Sequence, residues 1–138
     1  MTIRPYTHED YPMIVNWWIG HKAPVLPDFM FLPGIGAIAT RDGQSLAVSW
    51  LFVAPNTNGG LGMIQYTTSN PHAMITAVPR AVEVVLEYLE DVAKQMGCGS
   101  VVSFVRQDRG EQRIFAEHGW SDLGGVPHNL YGKALKWP

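Results

Sequence analysis

The densest run of side chains able to do chemistry in this 138-residue chain is Tyr66-Thr67-Thr68-Ser69-Asn70-Pro71-His72. Tyr66 and His72 can each give or take a proton, and the three hydroxyls between them can orient a polar substrate group. Strand alternation would put Tyr66 and Thr68 on one face and Thr67 and Ser69 on the other, so at most one pair would face a given cleft. His72 falls past the strand in a loop, where an ordinary solvent-facing histidine is the competing reading.

A second group precedes it. Trp17-Trp18, His21 and Lys22 lead into a stretch over 21–33 that carries Pro24, Pro27 and Pro33 among large apolar residues. That composition reads as a stiff, partly buried loop. His21 and Asp28 are its candidate substrate contacts, with capping and packing as the alternatives for each.

Other chemistry is excluded or bland. Cys98 is the single cysteine, so neither an internal disulfide nor a cysteine-based zinc site can form, and no metal ligand set is expected. Its position after a helix reads as a small buried hydrophobe. Charged residues are 16% of the chain and the net charge is −2, which argues against strong unaided binding to nucleic acid or anionic membrane. Arg106, Arg109 and Arg113 could still cluster beside the late helix. No window approaches the roughly 18 apolar residues of a membrane span and no leader pattern opens the chain, so a cytoplasmic protein without a membrane partner is expected.

The elements that must position these groups follow from pattern. Thr2 to Tyr6 reads as a strand. Asp10 can cap a helix in which Tyr11, Ile14, Val15 and Trp18 make one stripe, ended by Gly20. Two apolar runs, Ile35 to Thr40 and Ser45 to Val53, flank Arg41-Asp42-Gly43-Gln44, a strong hairpin signal. A turn at Asn58-Gly59-Gly60 leads into a strand from about Leu61 to Thr68, giving three antiparallel strands in a row. Thr76 can cap, and Pro79 suits the first turn of, a helix whose buried face is Val82, Val85, Leu86, Leu89, Ala93 and Met96. Glu83, Glu87, Glu90 and Asp91 form a solvated face, with Glu90 to Lys94 as an i,i+4 pair. Gly97 stops that helix. Ser100 to Val105 reads as a buried strand and 108–118 as a short helix. Two last strands are expected near Trp120–Leu123 and Asn129–Leu135. With 46% hydrophobic residues, one domain over residues 1–138 is expected, a mixed α/β fold in one layer system.

Three stretches in this order resemble the GCN5-related N-acetyltransferase family. They are the opening Ile3-Arg4-Pro5-Tyr6-Thr7-His8-Glu9-Asp10, the long helix AVEVVLEYLEDVAKQMGC over Ala81–Cys98, and RIFAEHGW over Arg113–Trp120. The resemblance implies an acyl-CoA N-acyltransferase fold, a central mostly antiparallel sheet flanked by helices. It also implies acetyl-CoA lying in a V between the fourth and fifth strands, its pantetheine arm paired with the fourth. Backbone N–H groups of a glycine-rich turn would hold the pyrophosphate, and a small-molecule or protein amine would attack the thioester. By this likeness Thr67 and Thr68 contact the cofactor, while Tyr66, Ser69 and His72 are the catalytic candidates.

The sequence departs from the family where the cofactor should bind. The family's Gln/Arg-x-x-Gly-x-Gly/Ala turn falls on Ala77-Val78-Pro79-Arg80-Ala81-Val82, without either glycine. Pro79 removes an N–H, Val82 could crowd a phosphate, and Arg80 could restore affinity or simply be an exposed arginine at a helix start. Val78, Arg80, Ala81 and Val82 remain the cofactor-binding candidates there. Phe115 stands where the family has the tyrosine that protonates the leaving thiolate, and Asp108 where it often has asparagine contacting the cofactor, so both are cofactor-binding candidates by the same likeness. This altered pattern looks like small acetyltransferase-fold proteins of tailed bacteriophages, some virion-associated and some modifying adenine in DNA. That likeness implies a non-catalytic phage protein with protein partners, or a DNA-modification protein, as the alternatives to an acetyltransferase. A homodimer pairing its C-terminal strands is a further expectation from the resemblance.

Overall fold

In the computed structural model, the described residues are 1–23, 26–54, 59–106, 110–125 and 133. Five strands form one sheet in the order β1 (Thr2–Pro5), β2 (Gly36–Arg41), β3 (Gln44–Ala54), β4 (Leu61–Ser69) and β5 (Ser100–Val102). The first four are antiparallel neighbours, and β5 joins β4 in parallel. The hairpin between β2 and β3 turns through Asp42 and Gly43 at φ 51° and 78°, the paired positive values that a two-residue I′ turn needs.

Helices cover both faces, so the sheet buries side chains on both. Helix α1 (Tyr11–Gly20) packs Ile14, Trp17 and Trp18 on Ile38, Val48 and Trp50. Helix α2 (Val78–Gln95) packs Ala81, Val82, Val85, Leu86, Leu89 and Ala93 on Ala37, Ala39, Ala47, Leu51 and Ile64. Helix α3 (Glu111–Glu117) adds Phe115 to that second core. At the end of α2, Cys98 N–H donates to Ala93 O and Gly97 N–H to Lys94 O, both 3.0 Å, the two bonds that close a helix through a glycine at positive φ. Cys98 is half-buried against the α2 core.

Several expectations need correction. Met96 lies outside the buried face and is 48% exposed, because the helix has already ended at Gln95. Thr76 does not cap α2; Ala77 precedes Val78 with no side-chain cap. Glu90 does not pair with Lys94: it accepts the Trp120 Nε1–H at 2.9 Å, and Lys94 lies 3.9 Å from Asp91. The expected strand near Trp120–Leu123 is absent, because Trp120 folds back edge-on to Phe115 and hydrogen-bonds α2. The expected strand near Asn129–Leu135 and the residues proposed for C-terminal pairing lie outside the described residues, Lys133 excepted. Among the described residues no helix is long and apolar enough to cross a membrane, and no three His, Cys, Asp or Glu residues gather as a metal site.

Asp10 is not a side-chain cap for α1 either. It receives two hydrogen bonds from Arg4, at 2.7 and 2.9 Å, and one from the Thr7 N–H at 2.9 Å. The Arg4 bonds hold its carboxyl below the ordinary value, more than burial raises it. A carboxylate whose folded pKa is depressed contributes stability above its unfolded pKa of about 3.9, and loses it as pH falls through the folded value. Asp10→Asn is therefore expected to cost about 1 kcal/mol at pH 7, given the half-exposed arginine. The gap should shrink as pH drops below about 4. Urea unfolding at pH 7 and pH 3 reads it, and an equal gap at both would show that the charge contributes nothing.

Candidate active site

The site is built where the sheet comes apart. The β4–β5 ladder pairs Leu61 with Ser100, Gly62 with Val101 and Met63 with Val102, then ends. The chain expected to continue as a strand to Val105 leaves the sheet instead. In place of the next ladder bonds, the Gln65 side chain spans the gap. Its Nε2 donates to Phe104 O at 3.1 Å and its Oε1 accepts the Phe104 N–H at 2.9 Å. An amide reproduces the paired bonds of a ladder at side-chain length, so the backbones stand apart by more than the roughly 4.8 Å of neighbouring strands.

On its other side β4 carries a bulge. Val48 pairs with Thr68 but Trp50 with Gln65, so the single residue Ser49 faces both Tyr66 and Thr67. Tyr66 sits at φ 61°, a conformation costing about 1–3 kcal/mol for a bulky residue. Ser49, fully buried, holds the bulge: its Oγ lies 3.1 Å from Gln65 O and 2.8 Å from Thr67 Oγ1. A carbonyl only accepts, so Ser49 gives its one proton to Gln65 O and takes the Thr67 proton in turn. The bulge breaks the alternation expected from sequence: Gln65, Tyr66, Thr67 and Thr68 all line the opening.

The opening is a cleft of about 280 Å3. On the α1 side its walls are Trp18, His21, Ala23 and Pro27; on the other they are Glu111 and Phe115, with Ser103 to Arg106 along the departed strand. His21 is brought there by the end of α1, where Gly20 lies so close to Pro71 that a Cβ would fall 2.7 Å from its Cγ. The His21 Nε2 lies 2.8 Å from Ser69 O, so that nitrogen carries the hydrogen, and the ring is fixed over the exit of β4. Asn70 closes the exit by donating to Ser45 O at 3.0 Å and accepting the His72 N–H at 2.9 Å.

The candidate residues divide by place. Tyr66, Thr67, Thr68, His21 and Phe115 converge on the cleft, and Ser69 adjoins it through His21. Thr68 is buried, Tyr66 is half-buried edge-on to Phe52, and Phe115 is 5% exposed in the α2 core. His72 is exposed and outside the cleft lining. Asp28 is exposed on a 3-10 turn, Phe29–Phe31, which it caps by accepting the Met30 N–H at 2.9 Å. Val78 and Arg80 stand in the first turn of α2, Arg80 within 3.2 Å of Glu83 and 3.6 Å of Glu87. Ala81 and Val82 turn into the core, so Val82 does not stand in the way of a ligand at the helix start. Asp108 lies outside the described residues.

Sequence reasoning missed Gln65, Ser49, Ser103 and Glu111. Ser49 did carry a signal, as the one polar residue in the run Leu46–Val53.

Compared by sequence, the chain matches no family model and no curated protein. Compared by structure, it matches many solved proteins over nearly its whole length. An aminoglycoside 6'-N-acetyltransferase from Acinetobacter haemolyticus is similar with a TM-score of 0.62 at 15% identity, covering 99% of this chain and 100% of that one. Rv2747 of Mycobacterium tuberculosis, solved with CoA and NLQ, has a TM-score of 0.70 at 18% identity, covering 94% and 76%. A transcriptional regulator from Bacillus halodurans reaches 0.70 at 13%, covering 94% and 99%. The chain has the acetyltransferase fold of the GCN5-related kind, a mixed five-stranded sheet flanked by helices.

Rv2747 is solved with CoA, and the residues of this chain would fit the parts of that molecule unequally. A slot walled by a β4 edge that pairs with no strand beyond Met63 among the described residues, by the Gln65 amide and by the buried Thr68 suits a pantetheine arm. The helix start that would meet the diphosphate fits poorly: Pro79 has no N–H and Arg80 is already held by two carboxylates.

Proposed function

We propose that the chain transfers an acyl group from a pantetheine-borne thioester to an amine. The observation that carries this reading is the parting of β4 from residues 103–106 across the Gln65 amide, beside a bulge that holds Tyr66 and Thr67 out of register. Beyond Met63 the cleft-side edge of β4 pairs with no strand among the described residues, and such an edge can take amide groups of an extended ligand as it would take a strand. The donor, when bound, supplies an activated acyl carbon.

The residues of the chain then orient, dry and deprotonate. Trp18, Ala23 and Pro27 wall the acceptor side, where an amine would approach. His21 and Glu111 are the cleft-lining groups able to take its proton. Trp18 and Phe115 present apolar surface from opposite sides, which limits hydrolysis of a thioester held between them. Phe115 has no proton to give. A simple thiol has a pKa of about 8.5, so its thiolate departs near neutrality without a dedicated acid. Tyr66 remains the cleft-lining phenol for that role, and His72 and Asp28 are left to acceptor recognition outside the cleft.

The neighbours whose names record acetyl transfer or bound CoA support the same reading. Release of free thiol from acetyl-CoA, followed over a panel of small amines and lysine peptides, tests it. Turnover above the uncatalysed rate is expected; neither turnover nor calorimetric binding of acetyl-CoA at millimolar ligand would overturn it.

A second reading draws on Phe115 and on the occupied Arg80: the same scaffold as a non-catalytic, partner-binding protein, like the bacteriophage proteins the sequence resembles. It predicts no thiol release with any amine.

A further inference from the structure

An arm and a diphosphate make different demands. The arm needs a strand edge and an apolar slot; the diphosphate needs N–H donors or unshared cations. Beside β4 the first demand is met. At the start of α2 the second is opposed.

Pro79 removes a donor from the first helical turn, and the Ala81 N–H already donates to Ala77 O at 3.2 Å. The Arg80 guanidinium faces Glu83, one turn on, and Glu87, two turns on, so two carboxylates stand against this one guanidinium, with the His118 Nε2 4.0 Å from Glu87. A diphosphate arriving there would have to displace one carboxylate and stand beside the other. Just ahead of the helix, Met74 and Ile75 are 75% and 85% exposed, presenting apolar surface where a nucleotide would need polar contacts.

We propose that the acyl donor is a pantetheine thioester recognised by its arm and not by its diphosphate. A thioester on free pantetheine or on a carrier protein is then used at least as well as acyl-CoA. This rests on the acyl-transfer reading above and specifies its donor. The bond made is the amide between acyl carbon and amine nitrogen. The bond broken is acyl carbon to sulfur, with the amine proton leaving to a cleft base and the sulfur departing as thiolate.

Calorimetric titration of the whole protein with CoA and with pantetheine tests it. Dissociation constants within about threefold of each other are expected, because the shared arm provides the contacts. CoA binding 30-fold or more tighter than pantetheine would overturn the proposal while leaving acyl transfer standing. Binding of neither would overturn both. Turnover with acetyl-CoA, acetyl-pantetheine and an acetylated carrier protein separates the sources. Similar kcat/KM for the first two supports the proposal with a free donor, and a distinctly faster carrier supports it with a protein-borne one. A Glu83→Gln, Glu87→Gln double variant, on the exposed side of α2, supplies an independent check. Releasing Arg80 should strengthen CoA binding about fivefold and leave pantetheine unchanged. An unchanged ratio would overturn the electrostatic basis of the proposal.

Discussion

Gln65→Leu is expected to lower kcat/KM with a thioester donor by about 100-fold while leaving the far-ultraviolet circular dichroism unchanged. The two side chains have similar volume, so the wall of the cleft is kept. What goes is the pair of bonds to Phe104 that sets the distance between β4 and residues 103–106. Phe104 is 74% exposed, so water can replace those bonds, and the stability cost is about 1 kcal/mol. Catalysis has no such substitute, since a misplacement of about 1 Å in a positioned ligand can cost about 100-fold. Gln65→Glu separates spacing from chemistry. A carboxylate can accept the Phe104 N–H but cannot donate to Phe104 O, so this variant should also be impaired at pH 7. Below its own pKa the protonated acid regains a donor, and relative activity should recover as pH falls. Full donor affinity and turnover in Gln65→Leu would mean that the parted strands are not the donor site.

The same region shows what local sequence can and cannot specify. The hairpin at Asp42-Gly43 and the α2 stripe were legible, because turn chemistry and helical period are local and agree with the tertiary result. The bulge was not. Ile64-Gln65-Tyr66-Thr67-Thr68 reads as an uninterrupted strand, and nothing in it announces that Tyr66 will adopt a positive φ. That conformation is held by Ser49 across the ladder, which bonds the residues on either side of Tyr66, 16 and 18 positions away in the chain. The early end of β5 has the same origin. Phe104 and Val105 have strand propensity, but a strand needs a neighbour at ladder distance, and Gln65 holds this one too far off. The candidate site was therefore half legible. Tyr66, Thr67 and Thr68 on β4 could be picked by type, while Gln65 of the same strand and the groups that shape the cleft from other elements, its partner Phe104 and Glu111 of α3, could not.

The support beneath the cleft rests on a contact that excludes a single carbon atom. Gly36→Ala is expected to lower stability by about 3 kcal/mol, and the melting temperature by about 10 °C for a chain of this size. A Cβ at Gly36 would lie 2.6 Å from Trp50 Cδ1, 2.8 Å from its Nε1 and 2.9 Å from Tyr6 Cβ. Trp50 cannot yield, because it is fully buried, edge-on to Tyr6 at 5.1 Å and tilted against Trp18 at 6.0 Å. The backbone of β2 must move instead, and it is paired on both sides. Gly34→Ala is the control, since a Cβ there meets nothing within 4 Å; its melting temperature should match the wild type. The expected damage reaches the site as well. Trp18 packs on Trp50 from one side and walls the acceptor end of the cleft with the other, so shifting the pair should raise KM for the amine more than for the donor. A melting temperature within about 2 °C of wild type, under 1 kcal/mol at about 3 °C per kcal/mol, would show that β2 gives way easily and that Trp50 does not fix Trp18.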